Sequence, residues 1–207
     1  MGKRCLIISG GDFDSLCKKE EGDFVIACDK GYEYAEKLGL KPDLVIADFD
    51  SFDGKVAGDV PVKQYPCEKD DTDTMAAVKH AVDNGFSEVV ICCALGGRPD
   101  HALANVQSCV FAAERGLKAS IVGTDDEMIV LKNRKIVLKR REGFSLSVLG
   151  ISNKSEGVDI LGTKYEVRDG VIENSFPLGV SNEWKADEAR ISVKNGTLLV
   201  IMSRLKR

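Results

Sequence analysis

Charged side chains follow several short apolar runs of this sequence, at the point where each run ends. These residues are Asp29, Asp48, Asp50, Arg98, Asp100, Asp125 and Asp126. If the runs are strands of an open parallel sheet, their carboxyl ends meet at one edge, where such sheets bind ligands. Any one of these residues is also explained as a solvated loop residue or a helix cap. Their repetition predicts a charged ligand site at that edge.

Asp48 and Asp50 are two positions apart in the segment Ala47-Asp48-Phe49-Asp50-Ser51. In an extended chain, side chains two positions apart point to the same side. Two carboxylates that close repel unless a cation lies between them, and Mg²⁺ takes hard oxygen ligands while leaving room for substrate phosphates. A turn that begins at Asp50 would explain Asp50 alone and leave Asp48 unexplained. The spacing therefore predicts a magnesium site.

A second acid-rich segment, Lys69-Asp70-Asp71-Thr72-Asp73-Thr74, precedes a helical pattern that runs to Asn84. Asp71 or Thr72 is suited to cap that helix, and Asp73 in the first turn suits the helix dipole. A helix N-terminus also binds anions, but three acids there would repel a phosphate. A metal ion between the acids removes the conflict, so this segment as a whole is a further candidate for a metal site.

The segment Gly96-Gly97-Arg98-Pro99-Asp100-His101 combines glycines with charged side chains. Glycine lets the backbone approach a phosphate closely, and arginine can hold phosphate oxygens through two hydrogen bonds. Asp100 is also a candidate cap of the next helix, and His101 either donates to a phosphate or lies on the surface. The sequence has neither a P-loop nor a G-x-G-x-x-G motif, which argues against a P-loop kinase and a typical NAD enzyme.

The elements that must position these residues alternate between short apolar strands and helices. The predicted strands are Cys5–Ser9, Phe24–Cys28, Leu44–Ala47, Val62–Tyr65, Glu88–Leu95 and Lys118–Val122. The predicted helices are Tyr32–Leu38, Thr72–Asn84 and Ala102–Arg115, and a glycine follows each one. This alternation is typical of βαβ units. It predicts an α/β domain of three layers, Rossmann-like, with a parallel sheet between helices.

The pattern changes near Asn133, after which no long helical pattern remains. Short strands are predicted at Ile136–Lys139, Ser145–Leu149, Val158–Leu161, Tyr165–Arg168, Gly170–Ile172, Glu188–Val193 and Thr197–Met202. Asn195-Gly196 is a strong hairpin signal. We therefore expect an α/β domain over residues 1–132 and an antiparallel β-sandwich over residues 133–207.

The only tryptophan of the chain, Trp184, lies in a polar segment beside Ser181, Asn182 and Glu183. A single tryptophan usually belongs to a core or to its edge. In this polar setting, its ring could instead stack on a flat, cationic heterocycle. Both interpretations of Trp184 stay open at the level of the sequence.

Composition disfavours several classes of protein. The 207 residues carry a net charge of -4, which is unsuited to nonspecific binding of nucleic acid. No apolar run approaches the roughly 20 residues of a membrane span, and the run after Met1 is too short for a secretory signal. The seven cysteines form no C-x-x-C pair, and most lie inside apolar runs. Free, buried thiols in a reducing compartment are expected, and hence a cytoplasmic protein without nucleic-acid or membrane partners.

Taken together, these segments resemble the thiamine pyrophosphokinase family of the bacterial type. The matching segments are Asp29-Lys30-Gly31, Pro42-Asp43, Asp48-Phe49-Asp50-Ser51, Lys69-Asp70-Asp71-Thr72-Asp73, Leu95-Gly96-Gly97-Arg98-Pro99-Asp100-His101, Gly162-Thr163-Lys164-Tyr165 and Ser181-Asn182-Glu183. They occur in the family's order and cover nearly the whole chain. Each segment by itself only suggests this family, and the combination of segments is specific for it.

The resemblance implies transfer of the pyrophosphoryl group of the cosubstrate ATP to the hydroxyl of thiamine, which gives thiamine diphosphate and AMP. It also implies a homodimer in which residues 1–132 form the catalytic, ATP-binding domain. Residues 133–207 would form the dimerisation domain and bind thiamine near the subunit interface. The implied Mg²⁺ ligands are Asp48, Asp50 and Asp73. The implied ATP contacts are Asp29, Lys69, Thr72, Arg98, Asp100 and His101. The implied thiamine contacts are Ser181, Asn182 and Trp184, and the implied catalytic residues are Asp50, Asp73, Arg98 and Asp100.

Two departures from the family pattern are visible, because many relatives have glycine at the positions of Lys30 and Ala47. Lys30 either adds a cation beside the phosphates or points to solvent. The general base stays open between Asp73, Asp100 and a hydroxyl activated by the metal alone.

Two other functions compete with the transferase. A metal-dependent phosphohydrolase would use the same acids without needing Trp184 or the β-sandwich. A non-catalytic regulator that binds thiamine or a nucleotide would be expected to lack the acidic cluster, which is present here.

Overall fold

The computed structural model describes residues 2–47, 56, 58–64 and 71–205. The chain divides into two compact units, Met1–Thr124 and Asp125–Arg207. The division falls before the change of sequence pattern near Asn133. The reason is that the segment Asp126–Lys132 is a strand that pairs with Thr197–Arg204, near the end of the chain.

The described part of the first unit contains strands and helices in alternation. The strands are β1 (Arg4–Ile8), β2 (Phe24–Cys28), β3 (Leu44–Ala47), β4 (Val62–Gln64), β5 (Glu88–Cys92) and β6 (Lys118–Val122). The helices are α1 (Gly31–Lys37), α2 (Asp73–Asp83) and α3 (Pro99–Glu114). Helix α3 begins three residues before the predicted start at Ala102, because Pro99 has the fixed φ that suits a first helical position.

The strands of the first unit form a parallel sheet in the order β6-β5-β1-β2-β3-β4. Neighbouring residues of its central strands point to opposite faces, yet Leu6, Ile7 and Ile26 are all fully buried. Burial on both faces explains why these strands are continuous apolar runs in the sequence. The predicted α/β fold class is confirmed.

The order of the strands reverses at β1. From β1 the chain proceeds outward through β2, β3 and β4, then returns to place β5 and β6 on the other side of β1. Loops that leave two neighbouring strands in opposite directions open a crevice at their carboxyl ends, and ligands bind there. The topology therefore centres the candidate site on the ends of β1 and β5.

The second unit is built from antiparallel strands. They are β7 (Asp126–Lys132), β8 (Lys135–Lys139), β9 (Phe144–Gly150), β10 (Lys154–Leu161), β11 (Val167–Glu173), β12 (Gly179–Asn182), β13 (Glu188–Ser192) and β14 (Thr197–Arg204). One set runs in the order β12-β9-β14-β7 and the other in the order β11-β10-β13-β8. Inward side chains from both sets form one buried cluster that includes Leu146, Ile160, Ile191 and Leu198. The predicted antiparallel β-sandwich is thereby confirmed.

Several details of the second unit differ from the sequence-based expectation. Strands β7 and β12 were not predicted, and the predicted strands Tyr165–Arg168 and Gly170–Ile172 are a single strand, β11. Asp169 has a φ of 46°, and the pairing of β10 with β11 shifts register nearby. A bulged strand of this kind looks like two short strands in a sequence.

The prediction of a hairpin at Asn195-Gly196 is wrong. The turn is present, but β13 pairs with β8 and β10, whereas β14 pairs with β7 and β9. The turn therefore carries the chain from one set of strands to the other. Gly196 is required there because its φ is 123° and a Cβ atom would lie 2.8 Å from Cα of Ser155.

The described part of the chain bears on two predictions that were made from the composition. The six cysteines outside the segment 65–70 are buried thiols, as expected of small apolar side chains. Among the described residues, no helix has both the length and the apolar character that crossing a membrane requires.

Candidate active site

The loops that follow β1 and β5 lie against each other at the predicted crevice. The backbone amide of Gly11 donates to the carbonyl of Cys93 over 2.7 Å, and that of Asp12 donates to Leu95 over 2.9 Å. Gly96 has a φ of 83°, and a Cβ atom at this position would clash with the carboxylate of Asp12. Glycine at position 96 is thus required by both conformation and space.

Asp12 is a site candidate that the sequence analysis missed. Its carboxylate lies directly on Gly96, on the loop that was expected to approach phosphate. The signal was present, because Asp12 follows an apolar run and two glycines, as the other candidate acids follow their strands.

Asp29 lies at the end of β2, in a backbone conformation that is rare for a residue other than glycine. Its φ is 46°, its amide donates to the carbonyl of Ile46, and its own carbonyl accepts from Tyr32. Gly31 then starts α1 so close to β1 that a Cβ atom would clash with the carbonyl oxygen of Ile8. Strained residues of this kind cluster at functional sites, so the conformation supports Asp29 as a site residue.

Asp73 is the first residue of α2, and three separate contacts fix this end of the helix. The hydroxyl of Thr72 accepts from the amide of Met75 over 3.1 Å, which makes Thr72 the N-cap. The buried hydroxyls of Thr74 and Ser9 are 2.7 Å apart, and the thiol of Cys28 donates to the carbonyl of Asp73 over 3.6 Å. The backbone of Asp73 thus lies beside the ends of β1 and β2, close to Asp29.

Arg98 and Asp100 form an exposed ion pair where α3 begins. The guanidinium donates through Nε and an η-nitrogen to the two carboxylate oxygens, over 3.1 and 2.5 Å. This hydrogen bond lowers the pKa of Asp100 and raises that of Arg98. The N-cap position belongs to Arg98, so the expectation that Asp100 caps the helix is wrong. Asp100 lies in the first turn, where it accepts from the amide of His101.

The remaining predictions in the first unit concern Asp48, Asp50, Lys69 and Lys30. Asp48, Asp50 and Lys69 lie outside the described residues. Lys30 places its ammonium 5.5 Å from the centroid of the Tyr34 ring. The hydroxyl of Tyr34 in turn donates to the carbonyl of Gly11 over 2.9 Å, so Tyr34 links Lys30 to the loop after β1.

Asp125 and Asp126 differ in location from the other acids, since both belong to the second unit. Asp125 accepts from Arg204, and Asp126 accepts from the hydroxyl of Ser203.

The donor set at the strand ends consists of carboxylates, the hard oxygen ligands that a magnesium ion takes. Within residues 2–47, 56, 58–64 and 71–205, no three His, Cys, Asp or Glu side chains are arranged to hold a metal. Mg²⁺ needs fewer protein ligands than that, because it is commonly held by one or two carboxylates together with waters and substrate phosphates. Asp29 and Asp73 supply hard oxygen donors at the same edge, so the residues present fit Mg²⁺.

The predicted thiamine contacts lie at the end of β12 in the second unit. Ser181 is exposed and has a φ of 56°, and its amide donates to the hydroxyl of Ser147 over 3.0 Å. The indole nitrogen of Trp184 donates to the carbonyl of Phe144 over 3.1 Å, and its ring packs against the buried cluster. Of the two interpretations of Trp184, the structure favours the edge of the core.

Asn182 is buried, and its amide group binds the backbone of two other residues. Its Oδ1 accepts from the amides of Tyr165 and Glu183, and its Nδ2 donates to the carbonyl of Tyr165. Tyr165 itself is 64% exposed. It is an aromatic site candidate that the sequence analysis did not select, although it lies in one of the matching segments.

A Rossmann-like sheet with charged loops at its topological switch point, followed in the chain by an antiparallel β-sandwich, defines a class of two-unit α/β enzymes. Comparison with known protein families shows to which family of this class the chain belongs. The model for the catalytic domain of thiamin pyrophosphokinase matches residues 18–121, and the model for its vitamin B1 binding domain matches residues 133–198. The first match alone spans half of the chain. The chain belongs to the thiamin pyrophosphokinase family, and the resemblance found in the sequence is confirmed.

Individual relatives agree with this assignment. The chain is 24% identical over 190 residues to the thiamine pyrophosphokinase of Bacillus subtilis strain 168, with 89% of each chain covered. The crystal structure of the Bacillus subtilis protein covers 99% of this chain and 100% of its own, with a TM-score of 0.88. That of the Geobacillus thermodenitrificans protein covers 97% of both chains, with 24% identity and a TM-score of 0.83. At this identity the structures establish a shared fold.

Proposed function

We propose that this chain transfers the pyrophosphoryl group of ATP to the hydroxyl of thiamine, with Mg²⁺, and releases thiamine diphosphate and AMP. The assignment to a family of pyrophosphoryl transferases acting on thiamine provides the reaction. The observation that carries the proposal is the convergence of Asp29, Asp73 and the loop of Arg98 at the carboxyl ends of the strands around β1 and β5.

The proposed reaction forms one bond and breaks one. The hydroxyl oxygen of thiamine bonds to the β-phosphorus of ATP, and the bond from that phosphorus to the oxygen bridging to the α-phosphorus breaks. AMP departs with the bridging oxygen, and the hydroxyl proton is released. The protein takes little part in the covalent chemistry of such a transfer. Catalysis of this kind therefore depends on aligning the two substrates and on stabilising the charge of the phosphoryl oxygens.

The charges at the strand ends suit that task. Asp29 and Asp73, with Asp48 and Asp50 from the sequence, are the proposed ligands of Mg²⁺, which supplies charge neutralisation at the phosphoryl oxygens. Arg98 binds the carboxylate of Asp100 through Nε and an η-nitrogen, which is the two-point geometry with which arginine also binds phosphate oxygens. Arg98 lowers the pKa of Asp100, which makes Asp100 a weaker base than an unpaired carboxylate.

The proposed thiamine site belongs to the second unit. The match to a vitamin B1 binding domain over residues 133–198 includes Ser181, Asn182, Trp184 and Tyr165. Thiamine carries a cationic thiazolium ring, and an exposed aromatic face attracts such a cation. Tyr165 is 64% exposed and its ring already attracts a cation, because the Lys164 ammonium lies 5.5 Å from the ring centroid. Ser181, the exposed residue before Asn182, offers a hydroxyl.

A product assay tests the proposed function. The purified protein, ATP, Mg²⁺ and thiamine are incubated together, and the products are separated by chromatography. We expect AMP and thiamine diphosphate in equal amounts, and no product when Mg²⁺ is removed with a chelator. ADP with thiamine monophosphate would identify a monophosphate kinase instead. Phosphate release without thiamine would support the phosphohydrolase, and binding without turnover would support the regulator.

We also propose that the chain is a homodimer, as the resemblance implies. The second unit exposes Phe176, Leu178 and Val180 within one short stretch. Large apolar side chains exposed together favour association with another protein surface. Sedimentation equilibrium is expected to give twice the mass of the 207-residue chain. Leu178→Asp should shift the population toward the monomer, and a monomeric wild-type protein would contradict the proposal.

A further inference from the structure

The amide group of Asn182 is engaged within the second unit and is closed off from solvent. The residue is 5% exposed. Its Oδ1 accepts hydrogen bonds of 3.0 Å from the amide of Tyr165 and 2.9 Å from that of Glu183. Its Nδ2 donates to the carbonyl of Tyr165 over 2.7 Å. A ligand that bonded to this amide group would have to displace contacts that are already well formed.

Thr163 is a second donor to the carbonyl of Tyr165. Its hydroxyl donates to the carbonyl oxygen of Tyr165 over 3.1 Å, and the residue is fully buried. The amide of Lys164 donates to the carbonyl of Glu183 over 2.8 Å, which ties the segment to the residue after Asn182. Both backbone polar groups of Tyr165 are therefore fixed, while its side chain is exposed and its ring lies 5.5 Å from the Lys164 ammonium, which a flat cationic ligand would replace.

We propose that Asn182 is a positioning residue that acts on thiamine through Tyr165 and does not touch thiamine itself. The inference rests on the proposed function, in which the second unit binds thiamine. An aromatic ring stacks on a flat cation only when the two planes are aligned. If the backbone that carries the ring is already fixed, less conformational entropy is lost on binding. Asn182 and Thr163 together provide that fixation, and we call them the Tyr165 clamp.

The Tyr165 clamp is tested first at Thr163, because this side chain is fully buried and cannot reach a ligand. Thr163→Val keeps nearly the same shape and removes one donor to the carbonyl of Tyr165. We expect the KM for thiamine to rise about two- to tenfold, the range of one hydrogen bond, with the KM for ATP unchanged. Asn182→Asp removes the other donor and places a carboxylate against that carbonyl, so its effect should be larger in the same direction.

A matched control and a ligand-free measurement separate positioning from contact. Ser192→Ala removes a hydroxyl that donates to Asp159, away from the Tyr165 clamp, and should leave the KM for thiamine unchanged. Hydrogen exchange of the Tyr165 amide, measured without substrates, should accelerate in Thr163→Val and Asn182→Asp but not in Ser192→Ala.

The outcomes distinguish the clamp from the function on which it rests. A raised KM together with faster exchange in Thr163→Val supports the inference even if Asn182→Asp does not fold. An unchanged KM in Thr163→Val overturns it, as does a raised KM in Asn182→Asp with unchanged exchange, which would indicate direct contact. If the wild-type protein forms no thiamine diphosphate, the proposed function fails first, and the inference about thiamine fails with it.

Discussion

Asp73→Asn is expected to reduce the formation of thiamine diphosphate by about a hundredfold or more while the protein stays folded. A metal ion that neutralises phosphoryl charge contributes several kcal/mol to the transition state, and each 1.4 kcal/mol, approximately, is a tenfold change in rate. Asparagine has nearly the same shape as aspartate but lacks the negative charge, so it is a much weaker ligand for Mg²⁺. The loss should therefore appear in metal binding as well as in turnover.

The fold should tolerate this substitution because other contacts hold the start of α2. Thr72 caps the helix, and the hydroxyls of Ser9 and Thr74 are bonded beneath it. A negative charge in the first turn contributes only about 0.3–1 kcal/mol through the helix dipole. The melting temperature of Asp73→Asn should thus fall by a few degrees at most.

Asp83→Asn is the matched control, because Asp83 is an exposed aspartate at the opposite end of the same helix. Near-normal activity is expected in this variant. Binding of Mn²⁺, followed by electron paramagnetic resonance in the presence of a non-hydrolysable ATP analogue, should be weakened only in Asp73→Asn. Near-normal activity and Mn²⁺ binding in Asp73→Asn would remove Asp73 from the proposed metal site.

Arg98→Lys is expected to lower kcat/KM for ATP by about ten- to a hundredfold, which corresponds to the loss of one charge-assisted hydrogen bond. Lysine keeps the positive charge but replaces the flat two-point donor with a single ammonium group. The KM for thiamine should change little, since Arg98 belongs to the first unit. Initial rates measured as a function of each substrate would separate the two effects.

The loss of activity in Arg98→Lys should not come from unfolding. The side chains of Arg98 and Asp100 are 72% and 62% exposed, and exposed ion pairs contribute little to stability. Arg115→Lys, at the other end of α3, is the matched control, because Arg115 is also exposed and donates to the carbonyl of Phe111. If both arginine variants lost activity equally, a specific role for Arg98 would be untenable.

The sequence specified the first unit well because its signals are local. Strands β2, β3 and β6 have the predicted bounds, and helix α2 lies within its predicted range. A strand covered on both faces must be apolar at every position, so its sequence alone identifies it. The glycines after the three helices mark their ends, because a residue with positive φ is needed there.

The second unit was less predictable because its pairing is not local. Strand β12 contains exposed residues and pairs with β9, more than thirty positions earlier in the chain. The Asn195-Gly196 turn has the sequence of a hairpin, yet its two strands pair with different partners. Whether two neighbouring strands pair with each other depends on which distant strands bury their apolar faces. The sequence of a short segment does not contain that information.

By itself, the sequence determined the α/β fold of the first unit and predicted which residues could do the chemistry, although Asp125 and Asp126, predicted at the same sheet edge, belong to the second unit. Only the tertiary structure decided that this edge is centred on β1 and β5, that Asp12 belongs to it, and that Asn182 binds the backbone of Tyr165. The physical reason is that residue type fixes what a side chain can donate, accept or ligate. Strand order and burial then decide which of those groups meet, and which are already used to hold the protein together.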